Sequence, residues 1–206
     1  MSALASQDDL EARLGRDLTA AEETRADALL ADASALVRAF TGQTFDLVVD
    51  DVVVLRAVGG TITLPQRPVT AVTKVEVIGG SEALPDFTTS DWLFDDIDTI
   101  RVGEGSWIIN VPEAWWDDDG YPGTYRVTYS HGYASAPPDV IAVVCGMVNR
   151  ALTAPTMAGG VTSETIGSYS YRLDSAGAGL AVAMSAEDRK VLARYRSTAS
   201  TIKVRR

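Results

Sequence analysis

Apolar positions recur at helical spacing in the first forty residues. Ala26, Leu29, Leu30, Ala33, Leu36, Val37 and Phe40 fall on one face of a helix expected over about 20–41. Thr19-Ala20-Ala21-Glu22 precedes it with capping-box spacing, in which hydroxyl and carboxylate satisfy free amides reciprocally. Gly42 supplies a stop. A shorter helix is expected around 7–14, ending near Gly15.

The period then shortens. Leu47–Leu55 is rich in valine, Thr61–Leu64 alternates, and Val72–Ile78 alternates imperfectly. Ser106–Val111 and Thr124–Tyr129 are further strand candidates, and Gly59-Gly60, Gly79-Gly80, Gly103 and Gly120 punctuate the block. Short strands between turns predict a small antiparallel sandwich or barrel. Helical spacing returns after Pro137-Pro138-Asp139, with Ile141, Val144, Val148 and Leu152 in a stripe and Cys145 beside it. Residues 161–173 read as a strand or hairpin, 176–179 as flexible, and Ser185-Ala186-Glu187-Asp188 as the cap of a short helix with Val191, Leu192 and Tyr195. The expected fold is α+β: a small helical bundle over 1–45 and 132–206, with an antiparallel β domain inserted at 46–131.

Composition narrows the class. The 206 residues are 46% hydrophobic and 22% charged, as in a folded globular chain. No run is long enough to span a membrane, so no membrane partner is expected. The start of the chain lacks the basic and apolar regions of a secretory signal. One cysteine excludes an internal disulfide framework. The net charge of −10 disfavours sequence-independent DNA binding by the whole body. The last residues, Lys203, Arg205 and Arg206, are basic and suit an acidic partner surface.

Candidate chemistry is sparse. Cys145 lies on an apolar helix stripe, where a cysteine packs as a small hydrophobe. His131 stands at a strand end, where packing outweighs catalysis. Residues 86–119 hold ten acidic residues against Arg101 alone. Asp117-Asp118-Asp119-Gly120 lacks the alternating oxygen ligands and later glutamate of a calcium hand. An acidic lining that denies phosphate contacts is another use for such a segment. Trp115 and Trp116 are neighbours; in an extended segment they face opposite ways, which favours a contact surface. No phosphate loop, dinucleotide fingerprint, nucleophile elbow or metalloprotease helix occurs, so no catalytic, metal or cofactor residue is expected and the chain reads as a non-enzyme.

Two stretches carry a resemblance. One is Ala28–Phe45, ALLADASALVRAFTGQTF. The other opens at Pro138-Asp139-Val140, continues through Val161-Thr162-Ser163-Glu164-Thr165-Ile166-Gly167-Ser168-Tyr169-Ser170-Tyr171, and ends in Ser185–Tyr195, SAEDRKVLARY. Together they resemble the head–tail connector, or head-completion adaptor, of long-tailed bacteriophages. That resemblance implies a structural virion protein of the neck, made in the host cytoplasm. Family members form a dodecameric ring below the portal and extend a channel through which DNA passes without sequence-specific binding. They dock the tail terminator or the next connector. The implied partners are further copies of the chain, the portal and that next component. Candidate contact residues are Trp115, Trp116, Ile166, Tyr169, Tyr171, Lys203, Arg205 and Arg206, with 161–173 adding strands or loops to a neighbour. The simplest members lack the large β block. The alternative reading makes that block a calcium- or carbohydrate-binding module through its aspartates and tryptophans. A hydrolase built on Cys145 or a serine is a third reading, tested by thiol titration.

Overall fold

The computed structural model describes residues 2–78, 87–88, 92–102, 124–153, 163–166, 169–172 and 182–196. Its architecture is mixed α+β, and the chain divides into two compact units. One comprises Met1–Thr41 with Ala136–Arg196; the other contains Gly42–Ser135.

The first unit holds α1 (Gln7–Leu14), α2 (Ala20–Thr41), α3 (Pro138–Thr153) and α4 (Ala186–Leu192), with a 3-10 turn at Ala193–Tyr195. Three of the four starts carry a side-chain cap. Ser6 and Asp9 form a reciprocal capping box on α1, and Gly15 ends that helix in the left-handed conformation. Thr19 and Glu22 do the same for α2: the Thr19 N–H donates to Glu22 Oε2 at 2.9 Å. Ser185 and Asp188 cap α4. The core joins Leu10, Ala26, Leu30, Ala33 and Val37 to Val140, Val144, Met147, Val148 and Leu192. Ser34 is buried without penalty, because its Oγ accepts from Leu4 N–H and donates to Leu30 O.

The helix faces differ slightly from the expected stripes. On α3 the buried face runs through Val140, Val144, Met147, Val148 and Ala151, leaving Ile141 and Leu152 half-buried. On α2, Leu36 is exposed, and half-buried Phe40 lies under the Arg196 guanidinium. Almost every residue near these positions is apolar, so the pattern admits a rotation of one position.

The second unit holds β1 (Val48–Arg56), β2 (Thr61–Thr63), β3 (Val69–Val77), β4 (Phe87–Thr88), β5 (Trp92–Phe94), β6 (Thr99–Val102) and β7 (Thr124–His131). They form two antiparallel sheets, β1-β7-β3-β4 and β2-β6-β5. Both sheets feed one core of Leu55, Ile62, Leu64, Val75, Ile100, Tyr125, Val127 and Tyr129. β7 is central: Val127 lies opposite Val53 of β1 and Val75 of β3. The connection after α2 is locked by two glutamines. Gln43 donates to Pro65 O and accepts from Arg67 N–H, while Gln66 donates to Gly42 O and accepts from Thr44 N–H. Gly132 follows β7 at φ 96°, and a Cβ there would lie 2.0 Å from Asp46 O. Only glycine fits that close approach.

The hairpin expected in 161–173 has described strands β8 (Ser163–Ile166) and β9 (Tyr169–Arg172), which form a separate two-stranded sheet. The strand expected at 106–111 and the flexible stretch at 176–179 lie outside the described residues.

Candidate interaction surface

The free edges of the sheets, rather than any cleft, carry the unexplained features of the described surface. β1 ends the larger sheet, and no described strand pairs with its outer edge. A bulge lies between Val48 and Asp51, with Asp50 at φ 53°. Beyond it the ladder to β7 is regular from Asp51 opposite Tyr129 to Arg56 opposite Thr124. Val53 and Leu55 face the core, so Val52, Val54 and Arg56 take the opposite side. Leu47, Val49 and Val52 are 51%, 68% and 55% exposed, an apolar stripe along an open strand.

The hairpin β8–β9 is the second open element. Its register sets Ile166 opposite Tyr169 and Glu164 opposite Tyr171. Three of the expected contact residues, Ile166, Tyr169 and Tyr171, therefore fall on paired strands. Trp115, Trp116, Lys203, Arg205 and Arg206 lie outside the described residues.

Polar groups of the described acidic stretch have local work. Asp95 Oδ1 accepts from the N–H groups of Ile97, Asp98 and Thr99 at 3.0, 3.1 and 2.9 Å. Burial opposes ionisation there, but these donors outweigh it and hold the carboxyl below its ordinary value. Asp98 pairs with Arg67 at 3.2 Å. Among the described residues, no group of three or more histidine, cysteine, aspartate or glutamate side chains is placed to hold a metal. Asp117 and Asp119, on which the calcium reading leans, lie outside them.

His131 and Cys145 belong to different units. His131 is 2% exposed; its Nε2 is 3.2 Å from Asp51 Oδ2 and its ring lies against Tyr129. Burial, with the Asp51 charge adding to it, pushes the Tyr129 phenol well above its usual value. Cys145 is buried on α3, and burial raises its thiol, which disfavours the thiolate. The arrangement at His131 orders a strand end, and that at Cys145 fills a helix core.

Sequence reasoning missed the Asp51–His131 contact, the glutamine lock and the Arg150–Asp188 pair, since each joins residues distant in the chain. The bulge that leaves Val49 and Val52 exposed had one faint signal: two aspartates inside a valine run. Among the described residues, no helix is long and apolar enough to cross a membrane. No family model matches the sequence, and no curated relative matches it.

Proposed function

We propose that this chain is a structural protein of the phage neck, a head–tail connector that forms a ring below the portal and docks the tail or the next connector. In this reading Met1–Thr41 with Ala136–Arg196 is the connector bundle. The unit at Gly42–Ser135 is an insertion that adds docking surface. One observation carries it. The two stretches that resemble connectors are separated by about ninety residues, yet α2, α3 and α4 share one core, with Leu30, Val37, Val144, Val148 and Leu192 buried together in the same unit. A chance likeness of two isolated helices gives no reason for them to pack together.

The physics of the surface favours assembly over turnover. The described acidic groups Asp95 and Asp98 are occupied by backbone donors and Arg67, and Cys145 is inert by burial. The described surface offers the exposed β1 edge and a two-stranded hairpin, which are devices for joining chains. Ring contacts are heterologous and close when the rotation per subunit fits. Antibody labelling of intact particles, viewed by electron microscopy, tests the placement. Label at the joint between head and tail is expected; label on tail fibres, or absence of the chain from purified particles, overturns it.

A further inference from the structure

Among the described residues the outer edge of β1 has no partner strand, and the hairpin β8–β9 is a separate two-stranded sheet. From Asp51 to Arg56 the strand is regular and its outer edge is open among the described residues. Proteins blunt such edges with charge, bulges or cover. Here the bulge at Asp50 protects only the N-terminal end, and Val52 remains more than half exposed beyond it. The hairpin has the opposite shortage. Among the described residues its two four-residue strands pair only with each other, and a two-stranded sheet alone is at best marginally stable in water.

Charge and apolar pattern select one register. Running β8 antiparallel to β1 with Glu164 opposite Arg56 sets Thr165 opposite Leu55 and Ile166 opposite Val54. Arg56 is exposed and pairs with no described carboxylate. Opposite charges directly across antiparallel strands stabilise the pair, as do facing β-branched residues. A parallel pairing that keeps Ile166 opposite Val54 sets Glu164 opposite Val52 instead, beside Asp51, where like charges repel.

We propose that β8 of one copy adds to the β1 edge of a second copy, in that antiparallel register, so that neighbouring chains are joined by a shared sheet. The inference rests on the ring reading, since a hairpin given to one neighbour leaves the donor's own β1 free to accept the next. That head-to-tail logic propagates and closes into a ring. Main-chain hydrogen bonds supply the attraction and the Glu164–Arg56 position supplies the register.

The test uses the full chain with single exposed cysteines, native Cys145 being buried. Arg56→Cys protein is mixed with Glu164→Cys protein at high concentration under mild oxidation. A disulfide-linked dimer is expected from the mixture and from neither variant alone. Adding Val52→Lys to the Arg56→Cys chain, an exposed change that spares the core, is expected to cut the dimer yield several-fold with an unchanged melting curve. In uncrosslinked protein, Arg56→Glu is expected to break assembly and Glu164→Arg in the same chain to restore it. A dimer from Arg56→Cys alone means that two β1 edges pair with each other, which overturns the proposal. A disulfide within single, diluted chains of the double-cysteine variant means that each hairpin fills its own β1 edge, which overturns it equally. Rings seen by native mass spectrometry without the mixed disulfide also overturn the pairing and leave the connector reading intact. The mixed disulfide in a chain that never reaches the particle neck keeps the pairing and removes the connector.

Discussion

Among the described glycines, Gly132 leaves the least room for a side chain. Its positive φ and the 2.0 Å gap between a Cβ and Asp46 O act together. Gly132→Ala is expected to cost about 2–4 kcal/mol, since both backbone strain and a main-chain clash must be relieved. Urea unfolding measures it, and a midpoint close to the parent's contradicts the account. Gln43→Ala removes a donor to Pro65 O and an acceptor for Arg67 N–H, two part-buried hydrogen bonds. A loss of about 1–3 kcal/mol is expected in the same experiment; a neutral result shows that water replaces the side chain freely. Glu22 gives a pH test. Its hydrogen bonds to Arg16, then to Thr19, lower its carboxyl from 4.5 to about 2. A folded value below the unfolded one contributes stability that is complete above the unfolded value and lost as pH falls through the folded one. The Glu22→Gln difference in unfolding free energy is therefore expected to be largest near neutrality and to shrink between pH 4.5 and about 2. A difference that grows on acidification contradicts the assignment.

At the scale of elements, α4 shows how a short helix is held. Asp188 accepts from Ser185 N–H in the capping box and from Arg150 on α3. Arg194 and the Tyr195 hydroxyl reach Asp139 at the start of α3. Asp188→Ala is expected to lose cap and tether together, about 1–2 kcal/mol at the upper end of capping effects. Its readout is faster amide exchange confined to α4; unchanged protection there shows that Leu192 packing alone suffices. The helices were legible because caps and apolar period agree locally: Gly15, Thr19 with Glu22, and Ser185 with Asp188 mark real ends. β1 was legible from its valine run, β3 from its imperfect alternation, and β7 from its β-branched and aromatic residues. β5 and β6 were not, because Trp92–Phe94 and Thr99–Val102 are too short to establish a period and flank an acidic turn. Of the surface proposed for contact, the hairpin strands were visible in their alternating residues. The open β1 edge was not, because edge position depends on strand order, and strand order is set by pairing across the whole unit.

For the whole molecule, the two units divide the labour. The helical unit builds its core from two stretches distant in the chain, and the β unit has a core of its own. Acidic residues dominate residues 1–130, 23 against 9 basic, so in the proposed ring this stretch would offer passing DNA few phosphate-binding groups. If the chain is the proposed connector, the most direct measurement is electron microscopy of phage particles assembled without it. The account predicts DNA-filled or leaking heads beside separate, finished tails, with joining restored when the chain is supplied. Whole tailed particles formed in normal numbers without it contradict the account.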